Sequence, residues 1–215
     1  MPFIQERDRI VNYSIIGCGG HAKVVASIIR SAGNTVVAFY DDSPSKIGSI
    51  FCDAPVKGAI KDIASDDPSL FIIAIGSNKA RKKIAESLSI NWGAVIHPFS
   101  FIDPSTIIGH GSVICAGVVI QADSILSTHT IINTSASIDH DCYIGDFVHI
   151  SPGVRLTGNV HISEGAQMGV NSCIIPEKRV GEWSVIGAGS TVIRDIPSYS
   201  VAVGSPAKVI KTVER

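Results

Sequence analysis

His140 stands between Asp139 and Asp141. An imidazole beside a carboxylate is suited to take and return a proton near neutral pH, because histidine titrates at about 6.5 and the acid can hold the ring in one tautomer. A lone histidine at a turn is equally an ordinary solvated residue. Near the start of the chain, Gly17-Cys18-Gly19-Gly20-His21-Ala22-Lys23 follows the apolar run ending at Ile16, and Asp41-Asp42 lies about twenty residues beyond the glycines. Glycines so spaced let backbone amides approach a diphosphate at a helix start, and an acid past the next strand can reach a ribose or base. The bland readings are a tight strand-to-helix turn and a solvated acidic turn. Gly76-Ser77-Asn78 closes a second apolar run, Leu70 to Ile75, and offers another loop to the same sheet edge. His97, His110, His129 and His161 are expected on the surface.

The element that must position His140 is a repeat. From Ile96 to Val192 every sixth residue is aliphatic, seventeen positions without a slip. If one residue in three were aliphatic, such a run would arise by chance roughly once in 10⁸, which excludes accident. The position four residues on is small or narrow in most repeats, as at Ser112, Val118, Ser124, Ala136 and Cys142. Large and small inward side chains therefore alternate, as a slim solenoid requires. Gly109, Gly145, Gly169, Gly181 and Gly187 directly follow the aliphatic residue, where a tight corner excludes a Cβ. Lys178 breaks the small-residue pattern, so a bulge is expected around Pro176 to Arg179. The outward residues Ile107, Val113, Val119, Ile125 and Ile131 form an apolar series that marks an interface.

The Gly-rich loop needs a different scaffold. Ile10–Ile16, the loop, a helix-spaced set (Val24, Val25, Ile28, Ile29) up to Gly33, and the run Thr35–Tyr40 read as strand, turn, helix, strand. Pro44 to Gly58 is turn-rich with a short edge segment, a polar helix spans Lys79 to Leu88, and Gly93 to Ile96 reads as the last strand. The expected division is residues 1–97, a Rossmann-like α/β domain with a nucleotide-type Gly loop, and residues 98–215, an all-β solenoid with a C-terminal tail.

Composition removes several classes. The 215 residues carry 18 basic and 19 acidic side chains, and no basic stretch is interleaved with aromatics, so nucleic acid is not an expected partner. Mean hydropathy is +0.32, yet it is spread through the repeats with no apolar run of membrane length, so no membrane insertion is expected. Met1 to Arg9 carries Glu6 and Asp8 and no apolar stretch, so no leader is expected. Five cysteines without a Cys-x-x-Cys pair suggest reduced thiols in a cytoplasmic protein.

Three segments carry a resemblance: Ile16-Gly17-Cys18-Gly19-Gly20-His21-Ala22-Lys23-Val24-Val25, Asn133-Thr134-Ser135 through Ile138-Asp139-His140-Asp141-Cys142, and Val201-Ala202-Val203-Gly204-Ser205-Pro206-Ala207-Lys208. They closely resemble the hexapeptide-repeat, left-handed parallel β-helix acyltransferases. Within these they resemble the bacterial nucleotide-sugar acetyltransferases with a small Rossmann-like domain, the group of sialic-acid O-acetyltransferases and amino-dideoxy-sugar N-acetyltransferases. The resemblance implies an eighteen-residue coil, a homotrimer, and acetyl-CoA as co-substrate with no metal. It implies His140 as catalytic base, Asp141 as its orienting acid and, one coil on, the Gly158 N–H as oxyanion donor. Acetyl-CoA would meet Asn133, His149, Gly158, Asn171, Gly187, Arg194 and Lys208. The nucleotide sugar would meet Gly17, Gly19, Gly20, His21, Lys23, Asp41, Asp42, Gly76, Ser77 and Asn78. His149, Asn133 and Asn171 are also ordinary corner or surface residues.

The expected reaction is acetyl transfer to the amine of a nucleotide-linked amino-dideoxy sugar for a surface glycan such as lipopolysaccharide O-antigen. Transfer to a sugar hydroxyl uses the same base. A γ-carbonic-anhydrase-like metalloenzyme needs closely spaced histidines, whereas His140 is followed at nine and twenty-one residues. A nucleotide-binding oxidoreductase or sensor would lack a separate catalytic domain.

Overall fold

The computed structural model describes residues 10–213, and the leader expectation for Met1 to Arg9 lies outside them. The N-terminal elements are β1 (Asn12–Ile16), α1 (Gly20–Ser31), β2 (Thr35–Tyr40), β3 (Ile50–Phe51), β4 (Ala54–Gly58), β5 (Leu70–Ile73) and α2 (Asn78–Ser87). The strands form one sheet in the order β3-β4-β2-β1-β5. It is parallel except for the β3–β4 hairpin. Its central strands are buried on both faces, which is why Ile15, Ile16, Phe39, Ile72 and Ile73 are consecutive apolar runs rather than alternating ones. α1 turns Ala22, Val25, Ala26, Ile28 and Ile29 onto this sheet. Its C-terminal turn is closed by Gly33 at φ +78°.

The rest of the chain is the left-handed parallel β-helix. Two-residue strands recur every six residues from Val95–Ile96 to Thr191–Val192, and they stack on three faces at eighteen-residue steps. Val113 pairs with Ile131, Val119 with Ser137, and Ile125 with Tyr143. The second residue of each strand points inward, and Ile114, Ile120, Leu126, Ile132 and Ile138 are all buried. Three residues past each inward aliphatic the backbone enters the left-handed region, from Gly111 through Asp123, His129 and Asp141 to Gly189. These corner N–H groups donate to the coil before, as from His129 to His110 and from Phe147 to Thr128. Ser200–Val203 continues the first face and closes it with an antiparallel strand, Lys208–Thr212.

Four expectations change. Val95–Ile96 is not the last strand of the N-terminal sheet; it pairs with Val113–Ile114 and opens the solenoid, because the six-residue register already includes Ile96. There is no bulge at Lys178, since His161 and Ile162 pair with Arg179 and Val180 at the regular step, and Lys178 is half-buried. Val113 and Ile131 are not exposed, because their face is the one against which the N-terminal domain packs. The exposed apolar residues lie on other faces, with Ile107, Ile125 and Tyr143 stacked on one of them at 59%, 40% and 39% exposure. His129 is not a surface residue: it is 3% exposed, stacked on Phe147 with ring centres 5.3 Å apart and met edge-on by Trp92.

The glycines after the inward aliphatics are set by close approach between coils. A Cβ on Gly145 would lie 2.7 Å from the Glu164 amide nitrogen and 3.0 Å from the Ser163 carbonyl carbon. Backbone cannot swing aside as a side chain can. Gly145→Ala is therefore expected to destabilise the protein by about 1–3 kcal/mol, measured as a lower denaturation midpoint at unchanged slope.

Candidate active site

His140 lies at the corner between the second and third faces, one residue before the left-handed Asp141. The corner turns the two side chains together: His140 Nδ1 is 2.7 Å from Asp141 Oδ2, and Asp139 Oδ1 accepts the His140 N–H at 2.8 Å. The shorter acid therefore reaches the ring. The Asp141 hydrogen bond, helped by the charges of Asp139 and Asp141, raises the His140 pKa above the ordinary histidine value. With Asp141 accepting from Nδ1, Nε2 is left as the basic nitrogen of the neutral ring. One coil on, Gly158 lies directly under this ring, where a Cβ would come within 2.6 Å of His140 Cε1 and 2.7 Å of Nε2. The Asn159 N–H donates to the His140 carbonyl, which locks the two coils in register at the site.

The other candidates gather at the seam between the two domains. His149 projects from the first face toward the N-terminal domain. Its Nε2 meets Asn133 Nδ2 at 3.2 Å, and the Gly76 backbone beside the ring works against the fall of its pKa. Asn133 Oδ1 in turn accepts the Thr134 N–H at 2.8 Å. Burial, then the charge of Arg81, then His21 push the His149 pKa down to about 4. His21, in the first turn of α1, falls to about 4 for the same first two reasons, and among the described residues its buried Nε2 has no hydrogen-bond partner. Two neutral imidazoles thus lie beside the two glycine-bearing loops.

Of the loop glycines, only Gly17 is required by conformation: its φ is +103° and a Cβ would lie 3.1 Å from Ile75 Cγ1. Gly19 and Gly20 face open space, and Lys23 is exposed nearby on α1. Asp41 is engaged by the protein itself, accepting the Cys18 N–H at 2.7 Å, the Ser43 N–H at 3.0 Å and Lys46 Nζ at 3.1 Å. Burial alone would raise its pKa, but these donors hold it below the usual carboxylate range. Asp42 accepts the Ile60 N–H at 2.9 Å. Both acids therefore shape the sheet edge around the loop. Ser77 caps α2 by accepting from the Ala80 N–H, while Asn78 is buried and donates to the Gly165 and Ala166 carbonyls.

Asn171 is an exposed left-handed corner residue, Gly187 packs under Val203, and Arg194 and Lys208 are exposed toward the C-terminal end. Among the described residues no hydrogen bond or ion pair joins any of these four to His140. Among the described residues no group of three His, Cys, Asp or Glu side chains could hold a metal ion, and no helix is long and apolar enough to cross a membrane. Two residues were missed in the sequence. Lys46 lies five residues past Asp41, inside a stretch that reads as turn-rich with a short edge segment. Arg81 was absorbed into a polar helix, although Asn78, Arg81 and Ala85 share helical spacing on one face.

Two outcomes are expected from this geometry. His140→Ala should lower kcat by about 10²–10⁴ with little change in KM. Asp141→Asn should move the acid limb of the kcat/KM profile to lower pH: the base works as neutral imidazole, neutrality is lost as pH falls through a raised pKa, and removing the acid lowers that pKa. A pH–rate profile on both proteins checks the sign, and an unmoved limb would separate Asp141 from the ionisation that governs the rate.

The family description "PglD N-terminal domain" matches residues 12–88. Over 52 residues, 24% of this chain, it is 44% identical to the dTDP-3-amino-3,6-dideoxy-alpha-D-galactopyranose 3-N-acetyltransferase of Aneurinibacillus thermoaerophilus, covering 27% of that protein. The chain spans about a third or less of the length of such curated relatives. Solved structures match over nearly everything. PerB of Caulobacter crescentus, in complex with CoA and GDP-perosamine, superposes with a TM-score of 0.87 at 36% identity, covering 94% of this chain and 99% of that one. The acetyltransferase domain of PglB from Neisseria gonorrhoeae, in complex with acetyl coenzyme A, gives 0.86 at 37% identity, with 94% and 100% covered. With a Rossmann-like sheet, a β-helix and near-complete correspondence to these enzymes, the chain belongs to the nucleotide-sugar N-acetyltransferases of the hexapeptide-repeat β-helix type.

Proposed function

We propose that this protein transfers the acetyl group of acetyl-CoA to the amine of a nucleotide-linked amino-dideoxy sugar. The observation that carries the reading is the corner at His140, where an acid-oriented imidazole lies over a glycine on the next coil. The sugar amine attacks the thioester carbonyl, His140 Nε2 takes the proton that the nitrogen sheds, and the tetrahedral adduct collapses to the amide as the C–S bond breaks and the CoA thiolate takes that proton back from the imidazolium. The Gly158 N–H is the proposed oxyanion donor. The loops at Gly17–Gly20 and Gly76–Asn78 hold the nucleotide diphosphate, with Lys23 and Lys46 beside them. Asn133, His149, Asn171, Gly187, Arg194 and Lys208 are the residues proposed for acetyl-CoA. The relatives above, crystallised with CoA and GDP-perosamine or with acetyl coenzyme A, support these two substrates.

One chain does not assemble this site. The N-terminal domain packs on the first face, while His140 occupies the opposite corner and, among the described residues, its side chain bonds only to Asp141. A partner copy must therefore bring its nucleotide-sugar loops to His140, which supports a closed homotrimer. The exposed ladder Ile107, Ile125 and Tyr143 supplies an apolar face for it. A cytoplasmic location, where acetyl-CoA is available, and use of the product in a surface glycan belong to the same proposal.

Turnover of GDP-, UDP-, CMP- and dTDP-linked amino sugars with acetyl-CoA, against matched hydroxyl sugars, tests the reaction; acetylation of hydroxyl sugars alone would overturn it. Gly19→Val should leave the fold intact, since nothing in the chain lies within 4 Å of a Cβ there, and should weaken nucleotide-sugar binding while acetyl-CoA binding stays. Ile107→Arg with Ile125→Arg should convert a trimer into inactive monomers, seen by light scattering and activity on one sample; fully active monomers would refute the shared site.

A further inference from the structure

Arg81 carries a full positive charge at 0% exposure and, among the described residues, forms no ion pair with an acid. Removing a guanidinium from water costs several kcal/mol unless its donors are satisfied. Here they are. Nε donates to the His129 carbonyl at 2.9 Å, and one terminal nitrogen to the Phe147 carbonyl at 2.7 Å and to Asn78 Oδ1 at 3.0 Å. The other terminal nitrogen donates to the Ile75 carbonyl at 3.1 Å, with the Gly76 carbonyl at 3.4 Å. With the Val148 carbonyl at 3.4 Å from the first terminal nitrogen, six acceptors surround the five N–H groups, divided between two corners of the β-helix and the loop that follows β5.

The division matters because of what the loop touches. The Gly76 backbone lies beside the His149 ring, near enough to act on its pKa, and His149 meets Asn133. The loop read as a nucleotide-sugar contact is thus joined through Gly76 to residues read as acyl-donor contacts. The charge of Arg81, after burial, also keeps His21 and His149 neutral, and a neutral His149 can donate from one nitrogen and accept at the other. A simple clasp between domains would not need such placement. Lys82 on the same helix is one, with Nζ 2.5 Å from Glu164 at the edge of the seam.

We propose that Arg81 is a positioning residue for the transfer reaction: it holds the Ile75–Asn78 loop on the His129 and Phe147 corners, so that the nucleotide-sugar loop and the His149–Asn133 pair keep one fixed relation. This rests on the assignment of that loop to the nucleotide sugar made above. The orphaned Nε2 of His21 faces the same seam, so a loop that drifts also loosens the surroundings of that ring.

The test uses the full-length protein as wild type, Arg81→Lys, Arg81→Met and Lys82→Met. Amide hydrogen exchange reads the loop directly, and steady-state kinetics with GDP-perosamine and acetyl-CoA reads its consequence. In Arg81→Lys, which keeps the charge but loses the fork, exchange at 76–78 should rise about tenfold while the inner coils stay protected. The KM for the nucleotide sugar should rise roughly tenfold to hundredfold, with that for acetyl-CoA within about twofold. Lys82→Met should match wild type in both. Arg81→Met should exceed Arg81→Lys in both effects; should it fail to fold, the Lys variant decides. Unchanged exchange in the loop, or equal rises in both KM values, would overturn the proposal. A wild type that acetylates no nucleotide amino sugar would instead sink the reading of the loop, and the exchange result would still decide whether Arg81 holds it.

Discussion

A three-sided coil must turn a corner every six residues, and each corner places one residue in the left-handed region. Such a residue costs of order 1 kcal/mol when it carries a side chain, so corners persist only where their polar groups are satisfied. Each corner N–H is spent on the coil before, but the carbonyls of His129, Phe147 and Gly165 accept nothing from the solenoid's own backbone. α2 supplies the missing donors. Arg81 binds the first two and Asn78 the third, so one turn of helix spans three coils at their eighteen-residue spacing. The docking of the N-terminal domain follows from the solenoid's own unsatisfied groups.

The same corner geometry, on a different edge, serves chemistry. At Asp141 the left-handed turn brings the carboxylate onto the preceding imidazole, and a glycine on the next coil leaves the ring room. Among the described residues no helix or loop covers this corner. One edge of the prism is thereby used for assembly and another for reaction, and the two must be rejoined between copies in the proposed trimer. The extended, repetitive scaffold suits that division, because identical steps hold corners on separate edges at fixed relative heights.

The histidines divide along the same line. His129 is buried and His21 and His149 are half-buried at or near the seam, and burial lowers each pKa to about 4, with Arg81 adding repulsion, in His129 after His110. His140 is exposed, and its neighbouring acid shifts it the other way. A seam that already holds one buried cation cannot accept further protons cheaply. His140, placed away from that seam, keeps a pKa raised by its acid neighbour.

Periodicity alone determined the β-helix, because a six-residue repeat of inward aliphatics is incompatible with either helix or ordinary strand spacing. The strand, Gly loop and helix at the N-terminus were legible for a similar reason, since burial on both sheet faces writes uninterrupted apolar runs into β1, β2 and β5. The roles of His140 and Asp141 and the eighteen-residue coil that leads to Gly158 came from the family resemblance, and the reach of Asp141 to the ring was decided by the corner geometry. What only the tertiary structure decided is which outward face is covered. Val113 and Ile131 read the same as Ile107 and Ile125 in the repeat, yet the N-terminal domain takes one face and leaves the other open. His129 and Arg81 were misread for that reason: a polar residue on the outside of an isolated element is buried only when a second element arrives, and nothing in the local pattern records the arrival.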